Sequence, residues 1–222
     1  YKLKHVAFIV DGNRRWAEEK NLPIWKGHEK AFDGSLELLR EIQKMGIRYC
    51  TLWGFSTENW KRSSLEIKKL MLIFSSMLVK LRDEALKEEM AIHHFGRKDR
   101  LPAKLSEQLD RLEKDTARFN KYYLGIALDY GGRDEIIRAM EKMDFSKPVS
   151  ELDISNALDT NGFPDPELII RTGGEQRLSG MMPWQSVYAE LYFSPLYYPD
   201  FGPSELHLAL QDFSNRHRRF GK

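Results

Sequence analysis

"HVAFIVDGNRRWAEEK", residues 5–20, decides the fold of this chain, because an unbroken apolar run passes through a polar turn into helix-forming residues. Apolar runs without alternation are typical of strands buried on both faces, as in parallel sheets covered by helices. We therefore expect a buried strand that ends before Asp11 and a helix that begins at Gly12 or Asn13.

The rest of the chain repeats this order of elements. Short apolar runs bounded by turn or polar residues recur at residues 47–55, 90–96, 122–129, 167–170 and 190–193. Helical patterns separate most of them, and the longest, residues 63–89, has apolar residues every three or four positions. This alternation predicts an α/β fold with a central parallel six-stranded sheet flanked by helices. Ligands of such sheets bind beyond the carboxyl ends of the strands, where Asp11 would lie.

Composition limits the classes of protein. With 222 residues, 41% hydrophobic and 31% charged, the chain can bury one sizeable core, and no repeat or linker divides it, so we expect a single domain over residues 1–222. A formal charge of +2 gives no reason to expect a nucleic-acid partner. Cys50, the only cysteine, lies in an apolar run and is interpreted as a buried thiol. No apolar stretch approaches the roughly 18 residues that span a bilayer, and the first residues lack a signal-peptide pattern, so a cytoplasmic location is expected.

The turn at residues 11–15 combines a carboxylate, a glycine, an amide and two arginines. A glycine lets the backbone approach a phosphate, and arginines offer paired donors to its oxygens. A carboxylate repels a bare phosphate, so Asp11 is best explained by a divalent cation between the two. Alternatively, Asp11 only caps a helix and the arginines are solvated. This stretch alone leaves both interpretations open.

Two further stretches carry similar chemistry. "RTGGEQRLS", residues 171–179, follows an apolar run, so its arginines and serine could hold a second diphosphate; the alternative is a glycine turn with surface arginines. "FSTENWKR", residues 55–62, precedes the long helix, with Ser56 and Thr57 as capping candidates, and is also consistent with ordinary helix punctuation. Together they predict two phosphorylated groups held beside an apolar tunnel between the sheet and the long helix.

These stretches belong to a larger set of motifs. "DGNRRWA", "GH" at 27–28, "FSTENWKR", "YGGRDEI" at 130–136, "RTGGEQRLS" and "WQSVYAELYF" at 184–193 resemble, in order and spacing, the motifs of the cis-prenyltransferases of the undecaprenyl diphosphate synthase type. The match runs from about His5 to Gly221. The resemblance implies a homodimer that elongates an allylic prenyl diphosphate with isopentenyl diphosphate, forms Z double bonds and needs Mg²⁺. Peripheral membrane contact for product release is a further implication.

The resemblance also implies roles for individual residues. Asp11 would hold the metal with Glu190 and assist ionisation, and Asn59 would orient the water or diphosphate oxygen that takes the proton. The implied allylic diphosphate site contains Gly12, Asn13, Arg14, Arg15, Trp16, His28, Ser56, Thr57, Glu58, Trp60 and Arg62. The implied isopentenyl diphosphate site contains Arg171, Arg177, Leu178, Ser179, Arg219 and Gly221.

Some of these assignments have simpler alternatives. Without the resemblance, His28 would be interpreted as a surface histidine near a helix start, and the terminal "RRFGK" as a frayed basic tail. His93 and His94 are expected to be structural. Tyr122 is expected to form part of the tunnel floor.

The chain departs from the family pattern in three places. Ile24 stands where an arginine is common, "RLSGMMPWQ" replaces the more usual "RLSNFLLWQ", and serine follows Arg62 where proline often does. These changes leave open an unusual prenyl acceptor or coupling regiochemistry. A nucleotide- or phosphosugar-binding enzyme is less consistent, since Gly-x-Gly-x-x-Gly and Gly-Lys-Ser/Thr loops are missing. A non-catalytic partner subunit is the remaining alternative.

Overall fold

A computed structural model describes residues 3–217, and its centre is one sheet. The strands are β1 (His5–Ile9), β2 (Tyr49–Ser56), β3 (Met90–Phe95), β4 (Tyr122–Tyr130), β5 (Leu168–Arg171) and β6 (Glu190–Phe193). Their order is β3-β4-β2-β1-β5-β6, and each neighbouring pair is parallel. The six-stranded parallel sheet expected from the sequence is therefore confirmed.

Helices connect the strands. They are α1 (Asn13–Glu19), α2 (Ile24–Lys44), α3 (Ser64–Lys87), α4 (Ala103–Thr116), α5 (Gly132–Glu141), α6 (Glu151–Ala157) and α7 (Pro203–Asn215), with 3-10 helices at Thr57–Lys61 and Tyr198–Asp200. Over residues 3–217, no helix combines the length and apolarity needed to cross a bilayer.

The long apolar helix begins later than the capping candidates imply. Ser56 precedes the 3-10 helix Thr57–Lys61 and its N–H pairs with Asn59, whereas the Ser63 hydroxyl accepts the Glu66 N–H and caps α3. Residues 57–61 thus form a separate turn between β2 and α3. The asparagine within "STEN" favours this local turn because its side chain bonds to nearby backbone.

Alternate residues of each strand face opposite sides of the sheet. In β1, Val6 and Phe8 join the larger core against α2, α3, α4 and α7, while Ala7 and Ile9 join a smaller apolar cluster on the other face. Met181, on a connecting loop, is fully buried in that smaller cluster. Since both faces are covered, the site must lie at a sheet edge.

Register brings the carboxyl-terminal parts of three strands side by side. Ile9 at the end of β1 pairs with Trp53 of β2 and Arg171 of β5. The turns that follow these strands carry the three stretches with anion-binding chemistry. Beside them, the register of β2 shifts around Gly54. The parallel sheet thus brings together residues that are far apart in sequence.

Candidate active site

A polar cavity of about 490 Å³ opens at this carboxyl edge. Eleven of the residues predicted from sequence line it: Asp11, Gly12, Asn13, Arg14, Arg15, His28, Ser56, Asn59, Arg62, Arg171 and Ser179. All three stretches contribute, which neither helix capping nor solvated arginines would require. The geometry favours the binding interpretation of the sequence over the structural one.

The centre of the polar cavity is an ion pair between Asp11 and Arg171. Asp11 Oδ2 accepts from Arg171 Nη2 at 2.9 Å, and Asp11 Oδ1 accepts from the Gly12 N–H at 2.7 Å. Arg171 Nη1 donates to Ser179 Oγ at 2.8 Å and to the Arg177 carbonyl oxygen. Arg171 is only 5% exposed and its Nε has no partner among the described residues. A buried guanidinium with a free donor is suited to an incoming anion.

The other arginines are held by two carboxylates that the sequence interpretation gave no role. Glu66 lies 3.6 Å from Arg14 and 3.2 Å from Arg62. Glu175 lies 3.6 Å from Arg15 and 2.6 Å from Arg177. A sequence signal existed for one of them, because Glu66 follows Arg62 by four residues, although Arg62 itself lies just before α3. The carboxylates thus pair with three arginines that line the cavity and, in the case of Glu175, also with the exposed Arg177.

His28 is partly buried at the boundary of two cavities. Its Nε2 is buried and has no hydrogen-bond partner among the described residues. Burial, followed by the charges of Arg62 and Arg14, lowers the pKa of His28 to about 4. The ring is therefore neutral near pH 7 and can either donate or accept one hydrogen bond. The alternative of an ordinary surface histidine does not describe this position.

An apolar cavity of about 100 Å³ adjoins the polar one. It lies between the sheet and helices α2 and α3, and leucine, phenylalanine and methionine side chains predominate in its wall. Four residues line both cavities: Val10, Asn13, His28 and Gly54. A Cβ added at Gly54 would meet Leu128 Cδ2 at 3.1 Å, so glycine keeps this passage open.

Several predicted residues lie near the polar cavity without lining it. The Trp16 indole N–H donates to Asp200 at 2.8 Å, and the Trp60 indole N–H donates to Asp129 at 2.8 Å. Glu58 is exposed on the 3-10 helix, and Thr57 packs toward Gly131. The two indoles are thus bound to carboxylates of the protein, and the predicted contacts of these four residues to a ligand stay predictions.

Residues of the second glycine-rich stretch divide in the same way. Arg171 and Ser179 line the polar cavity, whereas Leu178 packs against the smaller apolar cluster. The Arg177 side chain is 60% exposed, and it is its carbonyl oxygen that reaches Arg171. Sequence spacing could not separate these roles, because the turn directs successive side chains differently.

Glu190 is not a neighbour of Asp11 within one chain. It begins β6, pairs with Leu168 at the start of β5, and forms an ion pair with Arg216 at 2.9 Å. Asp11 instead follows the carboxyl end of β1, at the level of Arg171. Three residues of strand, roughly 10 Å, separate the two levels. The predicted sharing of a metal by Asp11 and Glu190 thus receives no support from the described residues.

Arg219 and Gly221 lie outside the described residues, and their predicted contacts stay predictions. The expectation that His94 is structural agrees with its ring, whose Nε2 pairs with the Leu128 carbonyl oxygen at 2.9 Å. Cys50 is a free, buried thiol, as expected.

Tyr122 differs from expectation, because it is not among the residues that line the apolar cavity. Its hydroxyl instead donates to the Gln43 carbonyl oxygen at 3.3 Å.

Comparison with known proteins supports the same interpretation. The family model described as "putative undecaprenyl diphosphate synthase" matches residues 9–221. The isoprenyl transferase of Clostridium tetani is 41% identical over 98% of this chain and 89% of its own length. That of Aquifex aeolicus is 39% identical over 99% of this chain and 96% of its own.

Two solved structures share the fold. Lavandulyl diphosphate synthase from Lavandula x intermedia, in complex with dimethylallyl diphosphate, has a TM-score of 0.95 and 31% identity, covering 99% of this chain and 98% of that one. A probable undecaprenyl diphosphate synthase from Campylobacter jejuni has a TM-score of 0.85 and 30% identity, with both chains fully covered. The fold and site define a transferase of prenyl groups. The chain belongs to the undecaprenyl diphosphate synthase family.

Proposed function

We propose that this enzyme condenses isopentenyl diphosphate with an allylic prenyl diphosphate to give a Z-polyprenyl diphosphate. One observation carries the proposal: the polar cavity around Asp11 and Arg171 continues into the apolar cavity through their shared lining residues. Such an arrangement suits an amphiphile with a multiply charged head and a hydrocarbon tail. The family match makes a prenyl diphosphate the amphiphile of choice.

The two diphosphates have separate sets of donors. Arg14, Arg15 and Arg62, with Asn13 beside the apolar cavity, would hold the allylic diphosphate whose tail enters that cavity. Arg171 and Ser179 would hold the second diphosphate, because they lie on the turn after β5. Arg177 would contribute mainly through the carbonyl oxygen that fixes Arg171.

Mg²⁺ is the proposed cofactor, and Asp11 fits it. This carboxylate lines the polar cavity and is one-third exposed, at 33% for its side chain. No group of three or more histidine, cysteine or acidic side chains suited to a metal occurs in the described part of the chain. Mg²⁺ does not need one, since it is commonly held by one or two carboxylates together with substrate phosphates. Bound there, it would neutralise charge on the departing diphosphate.

The chain's own residues would act mainly by positioning and charge stabilisation. Departure of the allylic diphosphate leaves a carbocation, which the double bond of isopentenyl diphosphate attacks before a proton is lost. The arginines stabilise the leaving diphosphate at a partly buried site, where each charge-assisted bond has more effect than in water. Asn59 Oδ1 is engaged by the Ser56 N–H at 3.1 Å, so its amide N–H groups can orient the acceptor of the proton.

A second candidate function is the coupling of two allylic diphosphates. Its support is the 0.95 TM-score to lavandulyl diphosphate synthase, which was solved with dimethylallyl diphosphate bound. The apolar cavity of about 100 Å³ also suits a short tail. Ile24, where an arginine is common in the family, lines a separate apolar groove with Leu22 and Trp25 rather than the polar cavity. The position at which the family often has an arginine therefore contributes apolar surface outside the polar cavity.

Product analysis separates the candidates. Pure protein with Mg²⁺ would be given labelled isopentenyl diphosphate together with allylic primers of five to twenty carbons, or dimethylallyl diphosphate alone. Linear Z products that require isopentenyl diphosphate would support the first candidate. Branched or cyclic products from dimethylallyl diphosphate alone would replace it with the second, and no product under either condition would refute both.

A homodimer is the proposed assembly, in a cytoplasmic enzyme with peripheral membrane contact. Large apolar side chains are exposed near the β6 edge and on α5 and α6, among them Val187 at 70%, Leu152 at 67% and Ile137 at 59%. A cluster of this kind is typical of a subunit interface.

A second exposed apolar surface lies on α3, where Leu65, Leu72 and Val79 are exposed at seven-residue intervals and could contact a bilayer. Sedimentation of the pure enzyme and flotation with anionic vesicles test the two interfaces separately.

A further inference from the structure

The end of β4, Gly131 and the first turn of α5 carry a sequence motif that the proposed chemistry leaves without a role. Residues 129–135 contain most of "YGGRDEI", yet none of them is among the residues that line the polar cavity. We call this segment the β4–α5 turn. Its contacts reach two of the three stretches that line the polar cavity: the turn that carries Asn59 and the loop that carries Ser179.

One side of the β4–α5 turn supports the 3-10 helix that carries Asn59. Asp129 is fully buried, accepts from the Trp60 indole N–H at 2.8 Å, and forms a two-pronged ion pair with Arg100. Gly131 packs directly on Thr57, so closely that an added Cβ would lie 2.4 Å from Thr57 Oγ1. The 3-10 turn at residues 57–61 is therefore held by this segment at two residues, Thr57 and Trp60.

The other side supports the loop that carries Ser179. The Gly132 N–H donates to the Gly180 carbonyl oxygen at 2.9 Å, and an added Cβ at Gly132 would lie 2.0 Å from Pro183 Cδ. Two residues further along, Gln185 Nε2 donates to the buried carboxylate of Glu135 at 3.1 Å. The loop is thus held to the β4–α5 turn at three points.

This second loop needs external support because its backbone is strained. Ser179 and Met182 have φ values of 52° and 47°, in the left-handed region that side chains other than glycine rarely adopt. Such residues persist only where surrounding contacts determine the conformation. In this conformation the Ser179 hydroxyl accepts a hydrogen bond from Arg171 Nη1. Gly132 and Glu135 thus contact the loop whose Ser179 hydroxyl is one of three groups that accept from the Arg171 guanidinium, the others being Asp11 and the Arg177 carbonyl oxygen.

We propose that the β4–α5 turn is a positioning element that fixes the two substrate half-sites relative to each other. Gly131 and Asp129 position the Asn59 turn, whereas Gly132 and Glu135 position the Ser179 loop. The assignment of those loops to separate substrates rests on the proposed function. Two adjacent glycines thus control different half-sites, and this makes the inference testable by a contrast between neighbours.

The test compares Gly131→Ala with Gly132→Ala. Gly131→Ala should displace the Asn59 turn and lower kcat about tenfold or more, with little change in the KM for isopentenyl diphosphate. Gly132→Ala should displace the Ser179 loop and raise that KM about tenfold or more, with little change in the KM for the allylic primer. Gly34→Ala is the matched control, because a Cβ at Gly34 meets nothing within 4 Å.

Rescue distinguishes positioning from general loss of stability. Thr57→Ala removes the atoms that collide in Gly131→Ala, so the double variant should recover most of the kcat of Thr57→Ala alone. Pro183→Ala should partly restore Gly132→Ala. Near-identical kinetic defects in the two glycine variants, parallel to their Tm losses and without rescue, would overturn the proposal, as would wild-type kinetics in both.

Two further variants serve if an alanine variant does not fold. Trp60→Phe removes the bond to Asp129, and Gln185→Met removes the bond to Glu135, without adding a colliding atom in either case. Trp60→Phe should mainly lower kcat, and Gln185→Met should mainly raise the KM for isopentenyl diphosphate.

If the wild-type enzyme does not use isopentenyl diphosphate, the proposed function fails by itself. Calorimetric binding of inorganic diphosphate then tests the positioning role: Gly132→Ala should weaken it about tenfold or more, and unchanged binding would overturn it.

Discussion

Asp11 and Arg171 form an ion pair at 2.9 Å across the carboxyl ends of two adjacent strands, although 160 positions separate them in the chain. Asp11 is the proposed ligand of the Mg²⁺ that binds with the allylic diphosphate, and Arg171 is a proposed ligand of isopentenyl diphosphate. The ion pair therefore connects the two proposed substrate sites. The same carboxylate also contacts Arg15 at 3.4 Å. A charge held by two arginines is positioned before substrate arrives, which favours electrostatic stabilisation without reorganisation.

We expect Asp11→Ala to lower kcat by on the order of a hundredfold or more, because it removes a charge contact to the reacting groups. The fold should persist, since Asp11 lies at the cavity surface and not in either apolar cluster. Steady-state kinetics and a thermal melt measure the two effects. Asp33→Ala removes an exposed carboxylate from α2 and serves as the control. A rate for Asp11→Ala within threefold of wild type would exclude the proposed metal role.

Arg171→Ala and Arg177→Ala should differ, because the first guanidinium is buried in the site and the second is exposed. Arg171→Ala should raise the KM for isopentenyl diphosphate about tenfold or more, since a charge-assisted bond contributes roughly 1.5–3 kcal/mol. Arg177→Ala keeps the carbonyl oxygen that holds Arg171, so a smaller increase is expected. Equal increases for the two variants, or an equal rise in the KM for the allylic primer, would mean that the arginines are assigned wrongly.

Stability should decline as the pH falls from about 6.5 toward 4. Burial lowers the pKa of both His5 and His28 to about 4, so in this window the unfolded chain binds protons that the folded chain does not. Folding stability therefore falls with decreasing pH until the folded-state pKa is reached. Urea denaturation at several pH values measures the slope, and His28→Gln should make it shallower. If NMR titration shows either ring charged at pH 6, this interpretation is wrong.

Product length should respond to the wall of the apolar cavity. Leu81, on α3 and 5% exposed, lines it, so Leu81→Ala should add volume and lengthen the main product. Tyr122→Ala is the matched control, because Tyr122 bonds to the Gln43 carbonyl oxygen and does not line the cavity. Chromatography of the dephosphorylated products gives the chain length. If Tyr122→Ala lengthens the product and Leu81→Ala does not, Tyr122 forms the floor of the tunnel, as the sequence predicts, and the assignment of Leu81 is wrong.

The apolar runs were sufficient to predict the strands because burial on both faces leaves an unbroken hydrophobic signal. All six strands occur within one or two residues of the expected positions, and α1 begins at Asn13. The boundary between the turn after β2 and the long helix was harder to predict. Ser56 was a candidate cap for the long helix, but it starts a separate 3-10 turn, because local side-chain bonding competes with helix continuation there.

Site chemistry followed a similar division. The sequence identified most of the polar cavity from residue types in three turns, but it could not distinguish Arg171, whose guanidinium enters the cavity, from Arg177, whose carbonyl oxygen supports it. It also implied that Glu190 shares a metal with Asp11; within one chain the register of β5 and β6 separates the two residues, so this assignment stays a prediction. Side-chain direction at a strained turn and register across a sheet both depend on long-range contacts.

By itself, the sequence determined the parallel α/β fold, the family and the identity of the anion-binding turns, because these depend on hydrophobic pattern and on residue chemistry. Only the tertiary structure decided that Asp11 and Arg171 meet, that Glu66 and Glu175 pair with the arginines, and that the β4–α5 turn contacts both the Asn59 turn and the Ser179 loop. The physical reason is distance along the chain. Pairings between residues far apart in sequence exist only after the sheet has aligned its strand ends.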